Sequence, residues 1–255
     1  MKSRLKYYFL ILIFIFCQSN PAGGQILSDT SSLVIIKSGI DQIYRLNFDK
    51  AREIFSGIDI PGSEHPVIYL LHGLTVYWQN YPLLPFTDAM NLFEADMRRC
   101  IALCEMKPYS EEYEAEALLA NVCARGLLLL FYADNNMSRN VISLASGTYR
   151  YIMRSFHFNR VFSDLYYFTG LYNYYRDAYP KYHPVYKPAA ALFPPGNFER
   201  GLNELVPFGK YGNEFSAYCF YGLSRISDAR GDKAGKRIYL RRANNLASFK
   251  KINFN

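Results

Sequence analysis

The segment Leu70-Leu71-His72-Gly73 is the first place in the chain where residue types could support catalysis. In α/β-hydrolases a His-Gly pair after a strand helps to build an oxyanion hole, but the site also needs a nucleophilic Ser in a G-x-S-x-G turn. Ser146 and Ser224 both lack that complete arrangement of glycines. His72 also belongs to a helical hydrophobic pattern. We therefore predict that the chain has no catalytic residue and is not an enzyme.

Metal and nucleotide sites are not indicated either. The four histidines include no pair four residues apart, and the chain has no C-x-x-C or H-E-x-x-H pattern that would gather metal ligands. No glycine-rich phosphate loop occurs. The acidic group Glu111, Glu112, Glu114 and Glu116 is interpreted as a solvated helix start, since carboxylates favour the positive end of the helix dipole. The sequence thus predicts no metal and no cofactor.

Tyrosines are concentrated between residues 166 and 186. Most of them should fill gaps between helices. Tyr is also enriched at binding surfaces, because it combines a large contact area with a polar tip. The candidate ligand-facing residues are Tyr172, Tyr175, Tyr179, Tyr182 and Tyr186.

The elements that must position these residues are helices. Apolar side chains recur with a period of 3.6, as at Val67, Leu71 and Trp78, and no alternating strand pattern of useful length appears. Turn-forming residues separate the helices at short intervals, which favours antiparallel neighbours. We predict an all-α protein of about eleven helices. They lie near residues 33–45, 50–58, 66–79, 86–106, 111–133, 138–155, 160–178, 184–192, 197–210, 214–230 and 233–249.

A repeat pattern links some of these helices. Gly39, Phe48, Ala51 and Phe55 follow the tetratricopeptide order of a small residue in one helix, then an aromatic, an alanine and an aromatic in the next. Small residues let two helices approach closely, and large ones fill the gap to the next hairpin. Ala51 should therefore be buried at a helix crossing. The second half of the pattern recurs at Gly196, Phe198, Gly201 and Leu205.

The stretch from Tyr167 to Tyr175, with Gly170 inside it, resembles exported tetratricopeptide-like proteins of Gram-negative bacteria. His183-Pro184, Lys187-Pro188 and the turn Pro195-Gly196-Asn197-Phe198 continue the resemblance, which spans residues 33 to 249 loosely. The resemblance implies an α-solenoid of antiparallel helical hairpins that binds proteins or peptides and carries no catalytic residues. The usual Trp and Leu of the first helix are missing.

Residues 179–195 form an insertion relative to this family. Its five prolines should block a continuous helix, and its apolar side chains give it surface to bury. We expect a proline-fixed loop with at most a short helix, packed against the rest of the protein. Such a loop would be the best candidate for partner specificity.

The N-terminus predicts export. Lys2, Arg4 and Lys6 precede an apolar run over residues 7–16, and small residues before position 25 suit a cleavage site. We predict a signal peptide over residues 1–24 and one helical domain over residues 25–255. Lipoprotein processing at Cys17 is the alternative. No later stretch is expected to reach the length of a membrane span. The mature protein should lie in the periplasm or at the outer membrane, soluble or lipid-anchored.

The mature chain would carry 26 basic and 22 acidic residues, with the basic ones concentrated after residue 230. A basic C-terminal helix could contact anionic lipid peripherally or form a solvated end. Export argues against nucleic acid. The four remaining cysteines could pair, but Cys100 and Cys104 lie on one helix face, and buried unpaired thiols fit a chain of this size. A Cys123–Cys219 pair stays open.

These features favour a non-enzymatic scaffold of the bacterial cell envelope that binds a protein or peptide. The alternative is a carbohydrate-binding accessory protein for nutrient capture. A glycan site would present several exposed aromatic rings in one plane beside amides or carboxylates, whereas a peptide groove need not.

Overall fold

The computed structural model describes residues 26–27, 29–58, 64–106, 111–158, 165–182, 184, 187–191, 193–210, 220–221, 223–224, 227–228 and 231–248. Within these ranges the secondary structure is helical and contains no β-strand, which confirms the all-α prediction. The helices are α1 Thr30–Tyr44, α2 Phe48–Phe55, α3 Pro66–Gln79, α4 Asp88–Glu105, α5 Glu111–Asp134, α6 Ser138–Phe158, α7 Leu165–Tyr182, α8 Lys187–Ala191, α9 Phe198–Lys210 and α10 Lys233–Ser248. The number of eleven helices is not confirmed, because the segment 214–230 lies mostly outside the described residues.

Local sequence sets where several helices begin. The side chains of Asp29, His65 and Thr87 each accept a hydrogen bond from a backbone N–H in the first turn of α1, α3 and α4. The first N–H groups of a helix have no partner inside it, so such caps stabilise the end at which they lie. Pro66 follows His65 at the first position of α3, where its missing N–H costs nothing.

Helices that follow one another in sequence pack against one another. The most extensive contacts join α1 to α2, α3 to α4, α5 to α6 and α7 to α9. Turns of three residues join α1 to α2 and α5 to α6, so the two helices of each pair run antiparallel. The helix α1 also contacts α3, and α3 contacts α5. The first helices of successive pairs are therefore neighbours.

Three apolar clusters among the described residues hold the helices together, one of them around Leu118, Val122 and Leu165 where α5, α6 and α7 meet. The largest cluster is centred on Phe93 of α4, whose ring lies 5.5 Å from Tyr77 of α3 and 5.6 Å from Phe131 of α5, measured between ring centroids. Full burial of such a side chain stabilises the fold by about 1.5–3 kcal/mol. Another cluster around Tyr174 and Leu205 joins α7, α9 and α10.

Helix α5 corrects one expectation. Its segment Tyr113–Asp134 is long and apolar enough to cross a membrane, so the expectation that no later stretch reaches that length was wrong. Most of the segment is buried inside the protein, as in the core helix of a soluble domain. One buried charged residue of the segment is paired inside the protein: Arg125 donates hydrogen bonds to Asn121 at 2.8 Å and to Glu105 of α4 at 2.7 Å.

Glu116 corrects a second expectation, because its side chain is fully buried and does not belong to a solvated helix start. Its Oε1 accepts a hydrogen bond of 2.9 Å from the backbone N–H of Ile26 and lies 3.3 Å from Nε2 of His65. Nδ1 of His65 accepts a hydrogen bond of 3.2 Å from the backbone N–H of Val67, so Nε2 is the ring nitrogen that faces the carboxylate. These partners come from distant parts of the sequence.

Helix α7 passes through Pro180 and ends at Tyr182, whereas the sequence predicts a turn from Pro180 onwards. A proline this close to a helix end removes only one late backbone hydrogen bond, and Pro180 is buried. The helix α8 that follows has five residues.

Candidate interaction surface

The His72-Gly73 pair lies inside helix α3 and does not follow a strand. Gly73 instead serves helix packing: a Cβ at this position would overlap the end of the Met97 side chain on α4 and would lie 3.1 Å from the Cβ of Asp96. The repeat pattern did not identify Gly73 as a packing residue. Its place at a helix crossing depends on α4, which the spacing around Gly73 does not reveal.

His72 forms a close pair with Asp96. Nδ1 of His72 lies 2.6 Å from Oδ2 of Asp96, and the carboxylate is largely buried while the imidazole is about half exposed. The hydrogen bond to Asp96 and its negative charge raise the pKa of His72, against the opposing effects of desolvation and of Arg52. The pair links α3 to α4 through a charge-assisted hydrogen bond.

Among the described residues, no three His, Cys, Asp or Glu side chains gather into a set that could hold a metal ion. Cys100, Cys104 and Cys123 take part in no disulfide bond within the described ranges, and Cys219 lies outside them. Contact with Cys104, together with burial, raises the pKa of Cys100 well above its usual range. Its thiol therefore stays protonated and packs as a small apolar side chain.

The predicted packing residues of the first hairpin meet where α1 crosses α2. A Cβ on Gly39 would overlap the ring of Phe55, and Ala51 has no exposed surface. Phe48 is half-buried at the start of α2. Because Gly39 has no side chain, the Phe55 ring fits against its backbone. This pair of a small and a large residue determines how closely the two helices approach.

The packing residues of the later hairpin lie where α7 crosses α9. A Cβ on Gly170 would lie 2.8 Å from Cγ of Leu205, and a Cβ on Gly201 would lie 2.8 Å from the carbonyl oxygen of Gly170. Gly196 lies against the backbone of α7, and the ring of Phe198 lies 5.5 Å from that of Tyr174. A small residue on the first helix again faces a large one on the second.

Of the five tyrosines predicted to face a ligand, only Tyr172 has a described side chain. Tyr175, Tyr179 and Tyr182 belong to α7, but their side chains lie outside the described part of the structure, as does all of Tyr186. The hydroxyl of Tyr172 donates a hydrogen bond of 2.6 Å to the carbonyl oxygen of Pro194.

The described end of the 179–195 insertion is packed against α6 and α7. The guanidinium of Arg176 donates two hydrogen bonds, of 3.0 and 2.8 Å, to the carbonyl oxygen of Phe193. The Phe193 ring lies 5.1 Å from that of Tyr149, and Tyr149 in turn contacts Tyr172. Tyr172 thus helps to hold the segment after α8 in place.

Three turns between helices share one hydrogen-bond pattern, which sequence reasoning missed. In each, a residue with positive φ donates its N–H to the carbonyl three residues earlier, and the next residue donates to the carbonyl five residues before it. This is the Schellman arrangement that ends a helix and usually places Gly or Asn at the positive-φ position. The three residues are Leu46 after α1, Asn136 after α5 and Gly231 before α10.

Leu46 departs from this preference, and Phe86 has the same positive φ outside the Schellman arrangement. Both have φ of 63°, in the left-handed region that costs a residue with a Cβ roughly 1–2 kcal/mol. Both side chains are also exposed, Leu46 to 52% and Phe86 to 91%. Apolar residues inside Pro82-Leu83-Leu84-Pro85-Phe86 could have indicated this site, since turns are normally polar.

The loops that carry these residues lie on one side of the protein. The ring of Tyr44 at the end of α1 lies 6.3 Å from that of Trp78 near the end of α3, and Trp78 contacts Tyr81. Asn135, after α5, donates to the carbonyl oxygen of Leu83 at 3.2 Å. The turns after α1, α3 and α5 are therefore neighbours. We name their four exposed apolar residues, Leu46, Tyr81, Leu84 and Phe86, the turn surface.

Two carboxylates border the turn surface. Asp88 opens α4 two residues after Phe86, and Asp134 closes α5 next to Asn135. Both are exposed, and no Lys, Arg or His in the described ranges lies within ion-pair distance of either. Partial burial raises the pKa of Asp134, which also lies at the negative end of its helix dipole. Arg45, next to Leu46, is ion-paired with Asp41, so it does not neutralise these two carboxylates.

Helix α10 carries the basic residues that the sequence placed near the C-terminus. Its inner side packs through Ala243, which is fully buried, and through Tyr239, which stacks on Phe220 at 6.3 Å. Its outer side presents Lys233, Arg237, Ile238 and Arg241, which we name the basic face.

In comparisons with known proteins, no family model, curated protein or solved structure matches this chain.

Proposed function

We propose that this protein is a non-enzymatic scaffold of the bacterial cell envelope, built as a tetratricopeptide-like solenoid, and that it binds a protein partner through the turn surface. The observation that carries the proposal is the exposed, positive-φ conformation of Leu46 and Phe86 on neighbouring turns. Each residue costs folding free energy through its backbone and gains little by burial. Strained, exposed apolar residues of this kind are typical of binding sites.

The solenoid architecture is supported by how the helices pair. Helices α1 with α2, α3 with α4, and α5 with α6 form successive hairpins, and the first helices of these hairpins touch one another. The repeated small–large crossings Gly39 with Phe55, Gly73 with Met97, and Gly170 with Leu205 agree with one unit used several times. Stacked units of this type expose extended surfaces for partners.

Export is supported by the basic and apolar residues at the N-terminus, as argued from the sequence. The scaffold would then act in the periplasm or at the outer membrane. The carbohydrate alternative gains no argument from Tyr172, because its hydroxyl is bound to Pro194 and its ring contacts Tyr149.

Site-specific photocrosslinking in the native envelope tests the scaffold function. A photoreactive phenylalanine analogue at position 86 should yield covalent adducts with protein, because that side chain projects from the turn surface. The same analogue at Ser143, which is exposed on α6 and does not belong to the turn surface, is the matched control. Equal adduct yields at both positions, or no adduct at position 86, would contradict the proposal.

A further inference from the structure

Charge is distributed unevenly along this chain. Residues 26–106 contain ten acidic and six basic residues, whereas residues 159–255 contain fifteen basic and seven acidic ones. The N-terminal hairpins are therefore acidic and the C-terminal part is basic. Opposite charges at the two parts of one molecule let the acidic part of one copy attract the basic part of another.

The turn surface supplies the acidic half of such a contact. Phe86 and Leu84 project from the loop after α3, with Asp88 and Asp134 beside them. An apolar patch bordered by carboxylates fits a partner that combines an apolar side chain with Lys or Arg. It does not fit an anionic membrane, because the carboxylates would be repelled by the lipid headgroups.

The basic face supplies the complementary half. Lys233, Arg237 and Arg241 recur every four residues along α10, so they lie along one side of the helix. No Asp or Glu in the described ranges lies within ion-pair distance of these three side chains, in contrast to Lys236, which pairs with Asp228 at 2.8 Å. Ile238 lies beside Arg237 and Arg241 and is 53% exposed.

We propose that the turn surface of one copy binds the basic face of a second copy, so that the chain assembles head to tail. This inference rests on the proposed scaffold function and names its partner. Ile238 of one copy would pack on Phe86 and Leu84 of the next, while Arg237 and Arg241 would pair with Asp88 and Asp134. Each bound copy still offers one free surface of each kind, so assembly continues until a ring closes or a linear array forms.

Two variants, each blocked at one surface, test the direction of assembly. Phe86→Asp places a charge in the turn surface, and Ile238→Asp places one in the basic face; both positions are exposed, so circular dichroism should show an unchanged fold. In sedimentation velocity the wild-type mature chain should form oligomers that weaken as salt is added. At the lowest concentration where the wild type oligomerises, each variant alone should be monomeric. Their equimolar mixture should give dimers and nothing larger, because one intact surface of each kind remains.

Ile142→Asp is the matched control, since Ile142 is an exposed isoleucine on α6 outside both surfaces. It should leave association within about twofold of wild type, whereas each blocking variant should weaken it about tenfold or more, the range expected for a central interface residue. A monomeric wild type, a mixture that stays monomeric, or a Phe86→Asp variant that still dimerises alone would each overturn head-to-tail assembly.

Vesicles of phosphatidylglycerol and phosphatidylcholine test whether the basic face binds an anionic membrane instead of a second copy. If the wild type does not self-associate but sediments with these vesicles, and Arg237→Glu no longer does so, the basic face binds a membrane and the proposal is overturned.

Photocrosslinking at position 86 distinguishes failure of self-assembly from failure of the proposed scaffold function. Adducts between a monomeric chain and other proteins would overturn self-assembly but support the scaffold function. If position 86 gives adducts neither with a second copy nor with another protein, both proposals are overturned.

Discussion

Gly39 lies directly against the ring of Phe55, so that the crossing of α1 and α2 has no room for a side chain at position 39. The contact joins two residues that the repeat pattern predicts from sequence, one at the small position and one at the large position. It also determines how far apart the first two helices are.

Replacing Gly39 should therefore destabilise the protein. Gly39→Ala should lower the free energy of unfolding by ~1–3 kcal/mol, because the new methyl group must displace the Phe55 ring. Gly126→Ala is the control: its Cβ would lie 3.5 Å from Phe168, an ordinary contact, so improved helix propensity should raise stability by up to ~1 kcal/mol. Urea denaturation followed by circular dichroism measures both. Stabilisation by Gly39→Ala would contradict the crossing.

At the two positive-φ positions in the turns, Leu46 and Phe86, substitution should stabilise the protein. Leu46→Asn and Phe86→Asn should each raise the free energy of unfolding by ~0.5–1 kcal/mol, because Asn tolerates positive φ and already occupies position 136, the equivalent of position 46. Ile142→Asn, at an exposed position within a helix, should bring no gain. Thermal unfolding compares the three. If Phe86→Asn also loses association while gaining stability, Phe86 is retained for binding and not for folding.

Tyr172 is expected to act in packing. Tyr172→Phe removes the hydroxyl that binds the carbonyl of Pro194 and should cost ~0.5–1.5 kcal/mol of stability. Tyr166→Phe provides the comparison, since no described residue accepts a hydrogen bond from that hydroxyl, and it should be nearly neutral. Hydrogen exchange of the segment after α8 should accelerate only in Tyr172→Phe. Unchanged exchange there would mean that this bond does not hold the segment.

His72 makes stability depend on pH. Because Asp96 raises its pKa in the folded state, folded protein binds the proton more tightly than unfolded protein. The stabilisation is complete below the unfolded pKa of about 6.5 and is lost as pH rises through the higher folded pKa. The stability difference between wild type and His72→Gln should therefore be larger at acidic than at alkaline pH.

An NMR titration checks the cause of this pH dependence directly. The midpoint for His72 should lie above 6.5 in the wild type and fall in Asp96→Asn, which keeps the shape of the side chain but removes its charge. A wild-type midpoint at or below 6.5 would show that the pair does not form in solution.

The sequence by itself determined the parts of this protein that depend on nearby residues. Helix positions followed from apolar spacing and turn residues, because both act within a few positions of each other. The boundaries of α3 were predicted as residues 66–79, the bounds that the structure has, because Pro66 and the apolar stripe lie inside the helix itself.

Only the tertiary structure decided what distant residues do together. Glu116 sits in an acidic run that looks solvated, yet it is buried against His65 and Ile26, which lie 51 and 90 positions away in sequence. The same holds for the turn surface: spacing along the chain does not reveal that the loops after α1, α3 and α5 are neighbours. Burial and exposure are properties of the packed helices, so local sequence patterns cannot specify them.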